Sequence, residues 1–292
     1  MKKLIYLIQF IIVIIIVIPF SFLPEKIIPV SGNILGRILF LLWPGRRRIA
    51  IENIRKAIQN NCLPATISPS DIAANSFRHL GISFIELSKV YLGRGTRIIE
   101  SISVEGIENF HKASSYNKGI LGLTGHYGNW ELLALIFSSK ISKITGVARK
   151  QNNPYINKLV EKTRTKFGSN VIYKKGALKA ILLKLKDNDT IGVLYDQSVL
   201  EKEGILVDFL CRKAWTMKMP VIISRKTGAP ILPFFIRRTA RGHVITIYPP
   251  FLPDSSVELE THLRHLNKYI EKHIKECPEQ WLWIHRRWKR TA

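Results

Sequence analysis

The chain has 292 residues, 46% hydrophobic and 23% charged, enough for one large or two small domains. Its 45 Lys and Arg against 21 Asp and Glu give a formal charge of +24, which calls for a polyanionic neighbour: nucleic acid, an anionic membrane surface or an acidic protein. Cys62, Cys211 and Cys277 are odd in number and form no Cys-x-x-Cys pair, so neither a disulfide framework nor a structural zinc site is expected, and the folded body suits a reducing compartment.

The amino end chooses among the polyanions. Leu4 to Leu23 is apolar apart from Gln9, Pro19 and Ser21, and twenty helical residues span about 30 Å, the hydrocarbon thickness of a bilayer. Lys2 and Lys3 would suit a signal peptide, but Pro19-Phe-Ser-Phe-Leu-Pro24 follows with no small-x-small cleavage site, so residues 1–24 read as an uncleaved membrane anchor. Lys26, Arg37, Arg46, Arg47 and Arg48 place the following side in the cytoplasm by the positive-inside rule. Because Lys2 and Lys3 pull the other end inward too, spanning and lying in the interface both stay open.

Residues 25–97 form a membrane-proximal helical region. The apolar run from Ile34 to Trp43, ending beside Arg46–Arg48, suits either an interfacial helix or a core helix. Ile49 to Gln59 reads as a helix, and Ser68-Pro-Ser-Asp71 opens another that runs to about Leu92.

From residue 98 to 292 strands and helices alternate. Strands are expected at 100–105, 119–124, 143–148, 170–173, 189–194, 230–236 and 243–248, and helices at about 106–114, 129–139, 153–167, 176–186, 216–227 and 256–276. That order specifies an α/β domain, a sheet between helices, whose chemistry gathers where strands lead into helices. No internal repeat or low-complexity linker interrupts it.

The stretch Gly119 to Ala134 is a buried strand, a Gly-rich turn and a helix starting near Asn129. His126 and Glu131 would not meet on one continuous helix, but with His126 in the turn the chain can bring the imidazole back to the carboxylate. Gly125 and Gly128 permit the backbone angles that return requires. A carboxylate on one ring nitrogen fixes the tautomer and frees the other to take a proton from a hydroxyl. Taken alone, a loop histidine and a helix N-terminal acid satisfied by the dipole explain the same residues. The helical zinc-protease pattern His-Glu-x-x-His is absent, and no metal site is expected.

Further strand-to-helix loops carry charge. Arg149 and Lys150 end one strand before Asn153-Pro154 opens a helix bearing Lys158, Lys162, Arg164 and Lys166, cations that alternatively form a solvated face. Asp196 and Gln197 follow another strand, where an Asp is either functional or a turn cap. His262 and His265 are read as surface residues of an amphipathic helix, without acidic or Cys partners for a metal.

Gly125-His-Tyr-Gly-Asn-Trp-Glu-Leu132 resembles the first signature of the lipid A biosynthesis (lauroyl/myristoyl) acyltransferases, within the lysophospholipid acyltransferase superfamily. Other segments agree in order: Ala148-Arg149 with Asn153-Pro154; Asp196-Gln197 with Gly204-Ile-Leu-Val-Asp-Phe209; Thr227-Gly-Ala-Pro-Ile-Leu-Pro233; and Pro278-Glu-Gln-Trp-Leu-Trp-Ile-His-Arg-Arg-Trp-Lys289. The likeness covers nearly the whole chain. It implies a glycerol-3-phosphate-acyltransferase-like mixed sheet flanked by helices and a membrane-bound O-acyltransferase that uses no cofactor. The donor would be acyl carrier protein and the acceptor a lipid A precursor, with the catalytic domain on the cytoplasmic side of a bacterial inner membrane.

By the same resemblance His126 is the catalytic base with Glu131 its partner, and Arg164 and Asp196 fall at positions needed for activity. Arg149 faces the acceptor headgroup, and Asn129 and Gln197 bind substrate. Tyr195 stands where Pro is usual, and Cys211 and Met219 replace glycines, departures that bear on loop geometry. The Phe-Pro-Glu-Gly-type motif of glycerol-phosphate acyltransferases is missing, which favours the lipid A branch. Acylation of a lysophospholipid or another glycolipid is the alternative. A basic membrane-tethered binding protein is the third reading, but no helix-turn-helix or RNA-binding signature supports a nucleic-acid partner.

An acyl thioester is already activated, so alignment and proton transfer suffice. No nucleophilic Ser or Cys is required, and no Gly-x-Ser-x-Gly elbow is present. The oxyanion would be met by backbone amides around Gly128 or by a cation.

Overall fold

A computed structural model describes residues 2–165, 167–173 and 176–291 of the chain. Lys166, one of the cations expected on the helix after Pro154, lies outside the described residues.

Five helices come first: α1 (Lys2–Phe22), α2 (Ile28–Leu42), α3 (Pro44–Gln59), α4 (Pro69–Tyr91) and the short α5 (Thr96–Glu100). The α/β portion follows as β1 (Ile102–Glu105), α6 (Ile107–Ser114), β2 (Ile120–Thr124), α7 (Trp130–Lys140), β3 (Ile144–Ala148), α8 (Pro154–Thr165), β4 (Asn170–Tyr173), α9 (Ala177–Lys186) and β5 (Thr190–Leu194). It closes with β6 (Gly204–Phe209), β7 (Arg212–Met217), α10 (Met219–Thr227), β8 (Ile231–Thr239), β9 (Gly242–Ile247) and α11 (Leu259–Glu276).

Among the described residues, seven strands form one sheet in the order β1-β9-β8-β2-β5-β3-β4, parallel at every pairing except β8 with β9. The apolar, fully buried runs Ile120–Leu123 of β2 and Ile231–Ile236 of β8 are those of strands covered on both faces. Side chains alternate between two apolar layers. Leu121, Leu123, Ile191 and Phe235 enter the layer built with α3, α4, α11 and the carboxy-terminal tryptophans. Ile120, Leu232, Phe234 and Ile236 enter the layer beneath α6 and α7. Ala50, Ile54, Ile72 and Phe77 of the amino-terminal helices share the first layer, so the helical region and the sheet have a common core.

The seven expected strands all belong to this sheet. The separate hairpin β6–β7 was not foreseen, and the helix expected from residue 216 begins at Met219 because Thr216 and Met217 finish β7. The hairpin's two-residue turn places Leu210 and Cys211 at φ of 48° and 56°, angles that Asn-Gly or Asp-Gly normally advertise. Leu-Cys gives no such signal.

Two readings are corrected. Cys62 and Cys211 form a disulfide, with Cα atoms 6.0 Å apart and a sequence separation of 149, which ties the end of α3 to the hairpin turn. Tertiary packing makes that pairing, and local cysteine spacing carries no trace of it. His262 is buried rather than on the surface: its Nε2 reaches the Asp254 carbonyl at 2.9 Å and its ring meets Phe251.

Helix α2 seats its Ile28–Gly32–Gly36 stripe on α4. A Cβ on Gly81 would lie 2.2 Å from the Gly32 carbonyl oxygen and 2.8 Å from the Gly36 nitrogen, so the helices meet backbone to backbone. The outer face of α2, with Val30, Ile34, Leu41 and Leu42, stays exposed. Gly81→Val should therefore cost about 1–3 kcal/mol through overpacking. A detergent-solubilised variant that melts at the wild-type temperature would show that this seat is absent.

Candidate active site

The register of two neighbouring parallel strands assembles the centre. Thr124 of β2 lies opposite Leu194 of β5, and two residues beyond each stand His126 and Asp196. A Cβ on Gly125 would lie 2.1 Å from Ile270 Cδ1 and 3.3 Å from Asp196 Cγ, so glycine there lets carboxylate and turn close up. Gly128 has φ +58°, and its Cβ would collide with the Ile236 carbonyl oxygen at 2.2 Å.

Asp196 is the carboxylate on the His126 ring. Its Oδ1 lies 2.7 Å from His126 Nδ1, and its Oδ2 accepts from the His126 backbone N–H at 2.9 Å and from Trp281 Nε1 at 2.8 Å. Asp196 is wholly buried. Burial by itself raises its carboxyl, but the charge and hydrogen bond of His126, the nearby His285 and the Trp281 donor outweigh it and hold the group well below the usual range.

The other ring nitrogen, Nε2, faces Gln197 Nε2 at 3.1 Å, and the same amide nitrogen lies 3.3 Å from His285 Nε2. An amide N–H₂ donates to both, so His126 carries its proton on Nδ1 toward Asp196 and keeps a lone pair on Nε2. His285 packs 4.6 Å from His126, ring centre to ring centre. Burial, and then the neighbouring His126, lower its pKa to about 4, so it is neutral at ordinary pH.

The expected His126–Glu131 pairing is thus replaced. Glu131 instead holds Arg164 in a two-pronged ion pair, Nε to Oε2 at 3.1 Å and Nη2 to Oε1 at 2.5 Å. The reason is positional: Glu131 already lies in the first turn of α7 and turns toward α8, while Asp196 arrives on the adjacent strand.

His126, Glu131, Arg149, Arg164 and Gln197 all line one cavity of about 450 Å³, within the range of small-molecule sites. One end is polar and cationic. The other is mainly apolar, running between the sheet and α7 past Leu133, Ala134, Gly146, Gly192 and Phe234, with Ser169 and Asn170 also on its border. A Cβ on Gly146 would meet nothing closer than 4.0 Å, so glycine leaves usable space there.

Asn129 stands apart from this cavity. It is buried; its Oδ1 caps α7 by accepting from Leu132 N–H at 3.2 Å, and its Nδ2 donates to Glu86 Oε2 at 2.9 Å. Glu86 is in turn gripped by Arg238, so Asn129 braces the turn from behind. The Gly128 N–H, one expected oxyanion donor, is engaged by the Gln280 carbonyl at 2.9 Å, and the Tyr127 N–H by the Gly125 carbonyl at 2.8 Å. His285 and Trp281 were not singled out in the sequence. They reach the centre from the far end of the chain, and only the Pro278–Lys289 likeness pointed to their segment.

A sequence model of the bacterial lipid A biosynthesis acyltransferases matches residues 1–290. The chain belongs to that family. The lipid A biosynthesis lauroyltransferase of Escherichia coli K12 is 26% identical over 272 residues, covering 91% of this chain and 87% of that protein. The palmitoleoyltransferase of the same organism is 26% identical over 275 residues, covering 91% and 86%. Its lipid A biosynthesis myristoyltransferase is 21% identical over 256 residues, covering 86% and 77%. The chain is accordingly an acyltransferase, and α1 fits a membrane anchor.

Asp196 carries the pH signature of this candidate site. Its folded-state pKa is depressed, so its contribution to stability is complete above the unfolded value of about 4 and is lost as pH falls through the folded one. Asp196→Asn should melt below wild type at pH 7 and approach it as the pH drops below about 4. Acyl turnover should fall as well, by up to the roughly hundred- to ten-thousandfold that a correctly oriented base supplies. Melting curves at several pH values with a constant gap between the proteins would contradict the assignment of a stabilised carboxylate.

Proposed function

We propose that the chain moves a fatty acyl group from the thioester of acyl carrier protein to a hydroxyl of a lipid A precursor, at the cytoplasmic face of a bacterial inner membrane. The observation that carries this reading is the His126–Asp196 pair, with the His126 Nε2 lone pair opening on a cavity that is cationic at one end and apolar at the other.

The acceptor hydroxyl displaces the Gln197 amide from His126 Nε2 and gives that nitrogen its proton as the oxygen attacks the thioester carbon. Asp196 stabilises the imidazolium that forms. When the tetrahedral adduct collapses, the C–S bond breaks and the imidazolium returns the proton to the departing thiolate, leaving an ester, a thiol and neutral His126. General-base assistance of this kind contributes about a hundred- to ten-thousandfold, and alignment of the two substrates adds to it. Glu131 acts by holding Arg164 at the polar end, where Arg149 and Arg164 supply charge for an anionic headgroup. The formal charge of +24 favours both an acidic carrier protein and an anionic membrane.

The acyl chain occupies the apolar end over Gly146 and Gly192. Each buried methylene is worth about 0.8 kcal/mol, or roughly fourfold in preference per carbon.

Purified enzyme with acyl carrier protein thioesters and a lipid A precursor in mixed micelles, read by mass spectrometry, tests the reading. Wild type should add one acyl group as an ester, and His126→Ala should lose transfer by about a hundredfold or more. Near-wild-type turnover by a folded His126→Ala protein would sink the mechanism.

Two substitutions probe the ends of the cavity. Arg149→Ala should raise the KM for acceptor by about tenfold, the loss of one charge-assisted contact. Gly146→Leu should shift the preferred donor to shorter chains, and an unchanged chain-length profile would place the acyl group elsewhere.

A further inference from the structure

Gln9 is the one amide in the apolar run of α1, a group that is costly in hydrocarbon unless paired. Its partner belongs to the loop beside the catalytic cavity. Asn153, buried at 6% exposure, donates from Nδ2 to the Tyr6 carbonyl at 2.8 Å and to Gln9 Oε1 at 3.1 Å, and the Phe10 ring lies 5.8 Å from that of Tyr155. At the other end of α1, Lys89 of α4 donates to the Ser21 and Leu23 carbonyls at 3.1 and 2.7 Å. Between these ties Tyr6, Phe10, Val13, Val17 and Phe20 are partly buried, recurring every three or four residues. Leu4, Ile8, Ile12 and Ile15 on the other faces are exposed. Helix α1 is therefore docked along its length on α4 and α8.

The same asparagine organises the cavity's edge. Asn153 Oδ1 accepts from the Tyr155 and Ile156 N–H groups and so caps α8. One turn on, Asn157 Oδ1 accepts from the N–H of Gln151, a cavity-lining residue beside Arg149. The last turn of α8 presents Arg164 to Glu131.

We infer that α1 is a wall of the acceptor's route as well as an anchor, and that Gln9 and Asn153 are positioning residues that hold the 149–153 loop and α8 against the bilayer. A lipid acceptor then reaches the cavity from the membrane alongside α1 and meets Arg149 and Arg164 first. This rests on the reaction proposed above.

Asn153→Ser isolates the contact, because Ser caps a helix as well as Asn but is too short to reach α1. In the full-length membrane-bound enzyme, Asn153→Ser should raise the KM for vesicle-presented acceptor about tenfold, the size of one lost hydrogen-bonded contact. The KM for thioester donor and retention in the membrane fraction should stay as in wild type. Gln9→Leu should move the same parameter in the same direction by less. Unchanged acceptor KM in both variants, or an equal loss for both substrates that follows the melting temperature, would overturn the inference. Hydrogen exchange separates it from the reaction assignment: the backbone of 150–152 should exchange faster in both variants even if the wild type transfers no acyl group. Wild-type protection there would overturn the positioning role.

Discussion

The hydrogen bond between buried Asp196 and His126 Nδ1 is the constraint around which the rest is arranged. A carboxylate out of water is costly unless every oxygen is answered, and here the ring, a backbone N–H and the Trp281 indole answer it. The donors come from two distant parts of the chain. The turn after β2 supplies two, and the carboxy-terminal segment supplies the third after crossing back over the sheet. The parallel register of β2 and β5 brings acid and base to the same edge, where open α/β sheets place their ligands.

Around that pair the structure separates positioning from chemistry. Glu86 and Arg238 brace Asn129 beneath the turn, and Gln280 takes the Gly128 N–H. Glu86, Asn129 and Gln280 are buried and Arg238 partly so, and none of them lines the cavity, so they support the turn bearing His126 from behind. The groups that do face it, Gln197, His285, Arg149 and the Glu131–Arg164 pair, divide it into a polar mouth and an apolar groove. Such a division suits a reaction joining a charged headgroup to a hydrocarbon chain. The Cys62–Cys211 bond and the docking of α1 on α8 fasten the amino-terminal helices to the same body.

Much of this was legible in the sequence where the signal is local. Alternating apolar runs and glycine-marked turns located the seven strands of the sheet, Ser68 capped α4 as its motif suggests, and the apolar amino end marked α1. The hairpin β6–β7 was missed because its turn residues, Leu210 and Cys211, adopt left-handed angles without Gly, Asn or Asp. The disulfide was missed because its two cysteines lie 149 residues apart and share no spacing rule.

By itself the sequence determined the order of elements, the Gly-rich turn bearing His126, the cationic loops and the resemblance to one acyltransferase family, since each depends on residues adjacent in the chain. Which carboxylate serves which partner was decided only by tertiary structure. Five residues of separation made Glu131 the natural match for His126, but strand register delivers Asp196 to the ring and helix packing turns Glu131 to Arg164. Pairing of this kind follows distance in space, and a carboxylate seventy residues away in the chain can be 2.7 Å away in the fold.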